Sequence, residues 1–164
     1  MGARSRGDAE RFRALAKRMF FSNETVEAFL SASSAAQVRS AADLIGREMA
    51  VRERNKREKA AFPQVKSFEG YDFSQVAFPE GYGAEDLMSL AFVDSAQDFV
   101  FHGQTGRGKT HLAIAVGNAC VQAGRTVRFF GTAQLVLMLT RASREHSLEA
   151  MLKDIAKADL VILD

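Results

Sequence analysis

The sequence predicts an α/β fold in which a parallel sheet forms the middle of three layers and an N-terminal helical region precedes it. Three short apolar runs predict the strands, at residues 98–103, 126–131 and 159–164. The segments between these runs have helical periodicity, and an alternating order of strands and helices is typical of a parallel sheet with right-handed crossovers. Strands this apolar are expected to be covered on both faces.

The helical region is predicted from apolar residues that recur three or four positions apart. A first helix is indicated by the apolar set Phe12, Leu15, Met19 and Phe20. A longer helix is predicted from about Ala35 to Ala60, and it should end there because Pro63 follows.

The composition changes in residues 63–83, which contain both prolines of the chain and interrupt the helical periodicity. Residues 1–62 hold 13 Lys and Arg against 8 Asp and Glu, whereas residues 63–164 hold 9 against 12. We therefore predict three parts, a basic helical region at 1–62, an aromatic linker at 63–83 and an α/β domain at 84–164.

The second half of the long predicted helix is strongly basic, and it has two interpretations. Glu48 with Arg52 and Glu53 with Arg57 are spaced as i,i+4 ion pairs, which is typical of a solvated helix. A row of cations can also neutralise DNA phosphates and release their counterions. The candidate DNA-contacting residues are Arg47, Arg52, Arg54, Lys56, Arg57 and Lys59.

The compartment is predicted from cysteine content and hydropathy. Cys120 is the single cysteine, so no disulfide framework is possible and a reducing cytoplasm is the default location. No run approaches the roughly 18 apolar residues that a membrane helix needs, and we predict no membrane partner.

The loop after the first predicted strand carries the strongest signal. Residues 103–110 read GQTGRGKT and match the phosphate-binding pattern G-x-x-x-x-G-K-[ST], with a strand predicted before it and a helix after it. Glycines allow backbone N–H groups to approach phosphate oxygens closely, and the helix N-terminus adds partial positive charge. The predicted nucleotide-binding residues are Gly103, Gln104, Thr105, Gly106, Arg107, Gly108, Lys109 and Thr110.

Two side chains of this loop have predicted chemical roles, and a third residue joins them from the end of the chain. Lys109 is the candidate catalytic residue, which would contact the β- and γ-phosphates, and the Thr110 hydroxyl is a candidate magnesium ligand. Asp164 follows the third apolar run, where a carboxylate that serves phosphate-bound Mg²⁺ is expected at the carboxyl end of a neighbouring strand.

These motifs resemble the IstB-like ATP-binding proteins of bacterial transposons, which are relatives of the DnaC-type helicase loaders in the AAA+ superfamily. The resemblance runs from about Leu44 to Asp164, and its specific parts are GKTHLA, the basic helix that leads into FP at residues 62–63, and DF at residues 72–73. It implies a P-loop, AAA+-like ATPase with ATP and Mg²⁺ as cofactors. It also implies that the protein helps a transposase engage double-stranded target DNA, and that the full-length form is a homo-oligomer.

One of several departures from the family pattern matters most. In the family an acidic residue that polarises the attacking water directly follows the Walker B aspartate, whose counterpart here is the final residue, Asp164. We therefore expect the chain to be the front part of a longer ATPase, with an incomplete sheet and no ATP turnover of its own. We also expect the phosphate-loop strand and the Walker B strand not to pair directly.

Three alternatives stay open. A DnaC-like helicase loader fits the same motifs, and a small-molecule P-loop kinase would share residues 103–110 but leave the basic helices without a task. A non-catalytic module that contacts DNA or a transposase through its helices is also consistent with the sequence.

Overall fold

The computed structural model describes residues 3–164, with side chains from residue 6 onward. The chain divides into two compact units between Arg52 and Glu53, and each is described by itself. The predicted boundary between residues 62 and 63, which rests on composition, stays a prediction.

The first unit is helical, as predicted. Helix α1 spans Ala3–Arg18, α2 spans Asn23–Ala32, and α3, which spans Ala35–Ala60, begins in this unit. The Ser22 hydroxyl accepts from the Thr25 amide and caps α2. The core of the unit is formed by Phe12, Ala16, Val26, Val38 and Ala42.

Two residues of the predicted first apolar face, Met19 and Phe20, are outside the core and beyond the end of α1. Helix α1 ends at Arg18, and Phe20 has a positive φ of 60° and is 95% exposed. The helix ends before Phe20, because the backbone of this residue turns the chain toward α2. The prediction that these two residues belong to the helical face was therefore wrong.

The second unit alternates helices with two strands after its N-terminal part. Its further elements are a short 3₁₀ helix (Phe73–Gln75), α4 (Ala84–Ser89), α5 (Ala91–Asp94), α6 (Lys109–Gln122), β1 (Val127–Phe130), α7 (Thr132–Arg144), α8 (Leu148–Ile155) and β2 (Leu160–Leu163). The segment predicted as helical between β1 and β2 is thus two helices, and His146 between them has a positive φ of 56°. None of the helices in residues 3–164 combines the length and apolar character that crossing a bilayer requires.

The sheet has two parallel strands, where three were predicted. Strands β1 and β2 pair in register from Val127 with Leu160 to Phe130 with Leu163. The first predicted strand, residues 98–103, is absent from the sheet. A strand exists only through its ladder, and no described segment pairs with residues 98–103, so their apolar character alone does not make them a strand.

Helix α6 forms the centre of the second core. Leu112, Val116, Cys120 and Val121 of α6 are buried with Val127 of β1. Burial raises the pKa of the Cys120 thiol to about 11, so this cysteine stays protonated and serves packing rather than nucleophilic chemistry.

Gly117 permits the closest approach of α6 to its neighbours. A Cβ atom at Gly117 would lie 2.7 Å from ring carbons of Phe62 and 2.8 Å from Cδ1 of Ile162. A glycine in a helix interior lowers helix stability, so its presence here is explained by packing rather than by helix propensity.

Gly117→Ala should therefore lower the free energy of unfolding by about 1 kcal/mol, because overpacking outweighs the gain in helix propensity. The matched control is Gly46→Ala in α3, where the nearest atom to an added Cβ is Arg11 Nη2 at 3.7 Å. That change should raise stability by about 0.5–1 kcal/mol. Urea denaturation measures both, and equal stabilisation by the two changes would contradict the packing argument.

Candidate nucleotide-binding site

The predicted phosphate loop leads directly into helix α6. Gly108 is the residue before the first helical residue, Lys109, and its φ of +82° lies in the left-handed region. Glycine adopts this conformation without strain, whereas a residue with a Cβ does so at a cost. The first N–H groups of α6 have no partner within the helix, and together with the helix dipole they favour an anion at this end.

The side chain of Lys109 lies over the loop. Its Nζ donates to the carbonyl oxygens of Gly103 and Gln104, each at 2.9 Å. A positive charge is thus held above the turn whose backbone would surround a phosphate group.

Thr110 and Asp164 are 54 positions apart in sequence and in direct contact. The Thr110 hydroxyl donates to Oδ1 of Asp164 at 2.8 Å. The predicted metal-ligand pair is therefore brought together, although nothing in the spacing alone fixes that contact.

The sheet fixes the backbone of Asp164. Its amide donates to the Phe130 carbonyl at 3.0 Å, which extends the pairing of β2 with β1 by one step. Its carbonyl accepts from the backbone amide of Thr132 at 2.8 Å and from the Thr132 hydroxyl at 2.9 Å. Three hydrogen bonds thus set the position from which the carboxylate reaches Thr110.

Residues 66–71, called the strap below, pack against the loop and against α6. The Asn118 side-chain amide donates to the Lys66 carbonyl at 2.7 Å, and Nε2 of His111 lies 3.1 Å from the Ser67 carbonyl oxygen, within hydrogen-bond distance. The ring centroids of Tyr71 and His111 are 5.1 Å apart. Sequence reasoning missed these contacts, because only the fold brings residues 66–71 beside α6.

Tyr71 also limits what can stand at Gly108. A Cβ atom at Gly108 would lie 3.3 Å from the Tyr71 hydroxyl oxygen. Burial raises the pKa of the Tyr71 phenol, so the group stays neutral and can donate a hydrogen bond. The backbone conformation therefore favours glycine at this position of the loop, and Tyr71 leaves little room for a Cβ atom.

A concavity opens where the strap meets the loop. Its lining includes Gln64 and Lys66 together with Thr105, Lys109, Thr110 and His111. The loop thus forms one wall of a pocket, and the chain before and within the strap forms another.

The six basic residues proposed for DNA contact differ in their surroundings. Arg52 pairs with Glu48 at 2.6 Å and Arg57 with Glu53 at 2.9 Å, which are the two predicted i,i+4 pairs. Lys56 donates to the Gly124 carbonyl. Arg47, Arg54 and Lys59 are exposed, and their side chains make no hydrogen bond or ion pair within the described residues.

The donor set at the loop fits a magnesium nucleotide. Mg²⁺ prefers oxygen ligands and is commonly held by one or two carboxylates together with substrate phosphates. A hydroxyl and a carboxylate oxygen lie together at Thr110 and Asp164. Within the described part of the chain no group of three or more His, Cys, Asp or Glu could form an all-protein metal cage. The phosphate oxygens would supply further ligands and negative charge to the ion.

A glycine loop that opens a helix, a lysine at the first helical position and a carboxylate after a parallel strand are the features of a P-loop NTPase. Comparison with known sequences gives the particular family. The sequence model of the IstB-like ATP binding protein family matches residues 15–164, and the chain belongs to this family.

Curated relatives agree with this assignment. The chain is 36% identical over 107 residues to a Pseudomonas aeruginosa protein whose name describes it as an ATP-binding protein of insertion sequence IS21. The match covers 65% of this chain and 40% of the relative. The chain is 32% identical over 102 residues to the corresponding IS5376 protein of Geobacillus stearothermophilus, with 62% and 41% covered. The replicative helicase loader DnaC of Buchnera aphidicola is 26% identical over 101 residues, with 60% and 41% covered. The chain therefore matches about two fifths of the length of these relatives.

Proposed function

We propose that the chain binds magnesium–ATP at residues 103–110. The observation that carries the proposal is the 2.8 Å hydrogen bond from Thr110 to Asp164, because it joins the loop to a carboxylate at the end of β2. A glycine turn that merely caps a helix would not require an acid at this position.

Each residue has a separate task in this proposal. The backbone N–H groups of residues 103–110 bind phosphate oxygens, and Lys109 adds a positive charge that the phosphates attract strongly. Thr110 and Asp164 would hold the magnesium ion, the first with its hydroxyl oxygen and the second with its carboxylate. When bound, Mg²⁺ neutralises phosphate charge and orients the phosphate chain.

We further propose that residues 1–164 hold ATP without hydrolysing it. Hydrolysis needs a group that orients water and usually a cation for transition-state charge, and such a cation alone accounts for about 10³-fold or more in rate. Within residues 3–164, Asp164 is the one carboxylate hydrogen-bonded to the loop, and it serves the metal. Arg141, on α7, is paired with Glu145 at 2.7 Å.

One preparation tests binding and turnover together. A fluorescent ATP analogue should bind residues 1–164 more tightly with Mg²⁺ than with EDTA, while phosphate release should equal that of the Lys109→Ala variant. Absence of binding would contradict the proposed site. Magnesium-dependent phosphate release that Lys109→Ala abolishes would contradict the proposed lack of turnover.

For the full-length protein we propose a role beside a transposase on double-stranded DNA, in the cytoplasm and as a homo-oligomer. Family membership and the insertion-sequence names of two of the relatives support this role. A helicase-loading role is the second candidate, which the DnaC relatives favour. A DNA or protein pull-down with the full-length form, in which transposase and replicative helicase compete for binding to it, would separate the two proposed roles.

We propose that the exposed cations of α3 provide the DNA contacts, rather than all six basic residues equally. Lys56 and Arg57 already contact Gly124 and Glu53, so their replacement would disturb the protein itself. The side chains of Arg54 and Lys59 are exposed and have no polar partner in the described part of the chain, so they can reach a phosphate backbone without losing an existing contact.

Replacing Arg54 and Lys59 by glutamine should weaken DNA binding at moderate salt. Each lost phosphate contact should reduce the slope of log affinity against log salt by about 1, because fewer counterions are released. The control replaces Lys153 and Lys157 of the same unit by glutamine, which removes the same charge from exposed lysines that pair with Glu149 and Asp154. Fluorescence anisotropy with a labelled duplex measures both, and an unchanged slope in the Arg54 and Lys59 variant would identify α3 as a solvated helix.

A further inference from the structure

The concavity beside the phosphate loop has a cationic lining that the loop alone does not explain. Lys66 and Lys109 both line it, and His111 lies between the loop and the strap. None of the residues that line it carries a carboxylate. Lys109 comes from the recognised motif, whereas Lys66 comes from the strap, 43 positions earlier in the chain.

The backbone of Lys66 is fixed against helix α6. The Asn118 amide, which donates to the Lys66 carbonyl at 2.7 Å, belongs to a residue that is only 4% exposed. His111 lies within hydrogen-bond distance of the next carbonyl, that of Ser67. Two side chains of α6 therefore hold two consecutive carbonyls of the strap, and the lysine projects from a fixed position beside the loop.

The charge of Lys66 has no protein counterpart in the described part of the chain. Lys66 is partly buried, and no ion pair or side-chain hydrogen bond is recorded for it there. The partly buried arginines Arg57 and Arg128 of the same unit, by contrast, pair with Glu53 and Asp154. The Asp164 carboxylate reaches this concavity through its hydrogen bond with Thr110 and is paired with neither lysine. Two ammonium groups that line one concavity repel each other, and an anion between them removes that repulsion.

We propose that Lys66 is a second cationic ligand of the nucleotide's phosphate chain, in addition to Lys109. This inference rests on the proposed binding of magnesium–ATP at residues 103–110. An ammonium group on the strap recognises phosphate oxygens and not the base, so its contribution increases with the number of phosphates. The strap is thereby a part of the nucleotide site that the phosphate-loop motif does not include.

The test is a titration of residues 1–164 with fluorescent ATP and ADP analogues. Lys66→Met should weaken ATP-analogue binding by about three- to tenfold, less than removal of Lys109, which also contacts the Gly103 and Gln104 carbonyls. The effect should be smaller for ADP, and Lys66→Arg should keep most of the affinity because it keeps the charge. Lys153→Met, which removes an exposed lysine of α8, should change nothing.

The controls separate a failure of this inference from a failure of the proposed function. If Lys109→Ala loses binding while Lys66→Met keeps it, Lys66 is not a ligand and the proposed function stands. If the wild-type chain binds neither analogue, the proposed function fails, and this inference with it. Equal weakening of ATP and ADP by Lys66→Met and by Lys66→Arg would show a packing role for the strap and overturn the inference.

Salt dependence gives an independent readout. Phosphate contacts by a partly exposed ammonium are screened by salt, so Lys66→Met should reduce the salt dependence of ATP-analogue affinity. A packing role would leave that dependence at its wild-type value, which would also overturn the inference.

Discussion

Replacing Lys109 by alanine should weaken binding of a magnesium–ATP analogue well over tenfold, the largest effect that we expect from any single change. Hydrogen bonds between an ammonium and phosphate are charge-assisted and about twice as strong as neutral ones. The change also removes the contacts from Nζ to the Gly103 and Gln104 carbonyls, each 2.9 Å long. The loop therefore loses two hydrogen bonds as well as a positive charge. Titration with a fluorescent nucleotide measures the affinity.

Two companion variants show which loss matters. Lys109→Arg keeps the charge in a larger planar group and should bind at an intermediate level, because a guanidinium does not reproduce the point charge of an ammonium. Lys153→Ala removes an exposed lysine and should bind as the wild type does. Wild-type affinity in the Lys109→Ala variant would show that residues 103–110 do not form the nucleotide-binding site.

Asp164→Asn should abolish most of the advantage that Mg²⁺ gives to nucleotide binding, a loss of about tenfold at saturating metal. Asparagine keeps a side-chain oxygen that can accept from the Thr110 hydroxyl, as Asp164 does at 2.8 Å. The substitution therefore removes the charge while it preserves the hydrogen bond and the volume. Affinity in EDTA should change little, because no metal is then present to be stabilised.

The matched control is Asp98→Asn, which neutralises an exposed carboxylate of the same unit, just before the residues that lead into the loop. Affinity measured across a Mg²⁺ series should be the same for this variant as for the wild type. If Asp164→Asn retains the full magnesium effect, then the carboxylate has no part in metal binding and its contact with Thr110 is structural only.

The parts of the fold that were predictable from sequence depend on local signals. The helical spacing before Pro63 and the apolar runs at β1 and β2 required only periodicity and propensity. The prediction of a first strand at residues 98–103 was wrong. A strand requires a hydrogen-bonded neighbour, which these residues do not have within the described chain.

The candidate site divides in the same way. Residues 103–110 and Asp164 carry recognisable types in sequence, and the contact of Thr110 with Asp164 agrees with their pairing. The strap does not carry such a signal, since Lys66 and Tyr71 reach the loop only through contacts with α6. Likewise, no charge pattern reveals that Lys56 donates to the Gly124 carbonyl while Arg54 stays exposed.

The attachment of Asp164 to the end of β2 has a thermodynamic consequence. Strand β2 is hydrogen-bonded to β1 in a two-stranded sheet, and local opening of such an element requires less free energy than unfolding of the whole unit. When β2 opens, the side-chain carboxylate of Asp164 leaves Thr110, although residues 103–110 can stay in place. A metal ion that binds only the closed form stabilises that form. It must therefore raise the free energy of opening by the amount by which its binding stabilises the closed form. The stability of the sheet edge and the affinity for the metal are two measurements of one coupling.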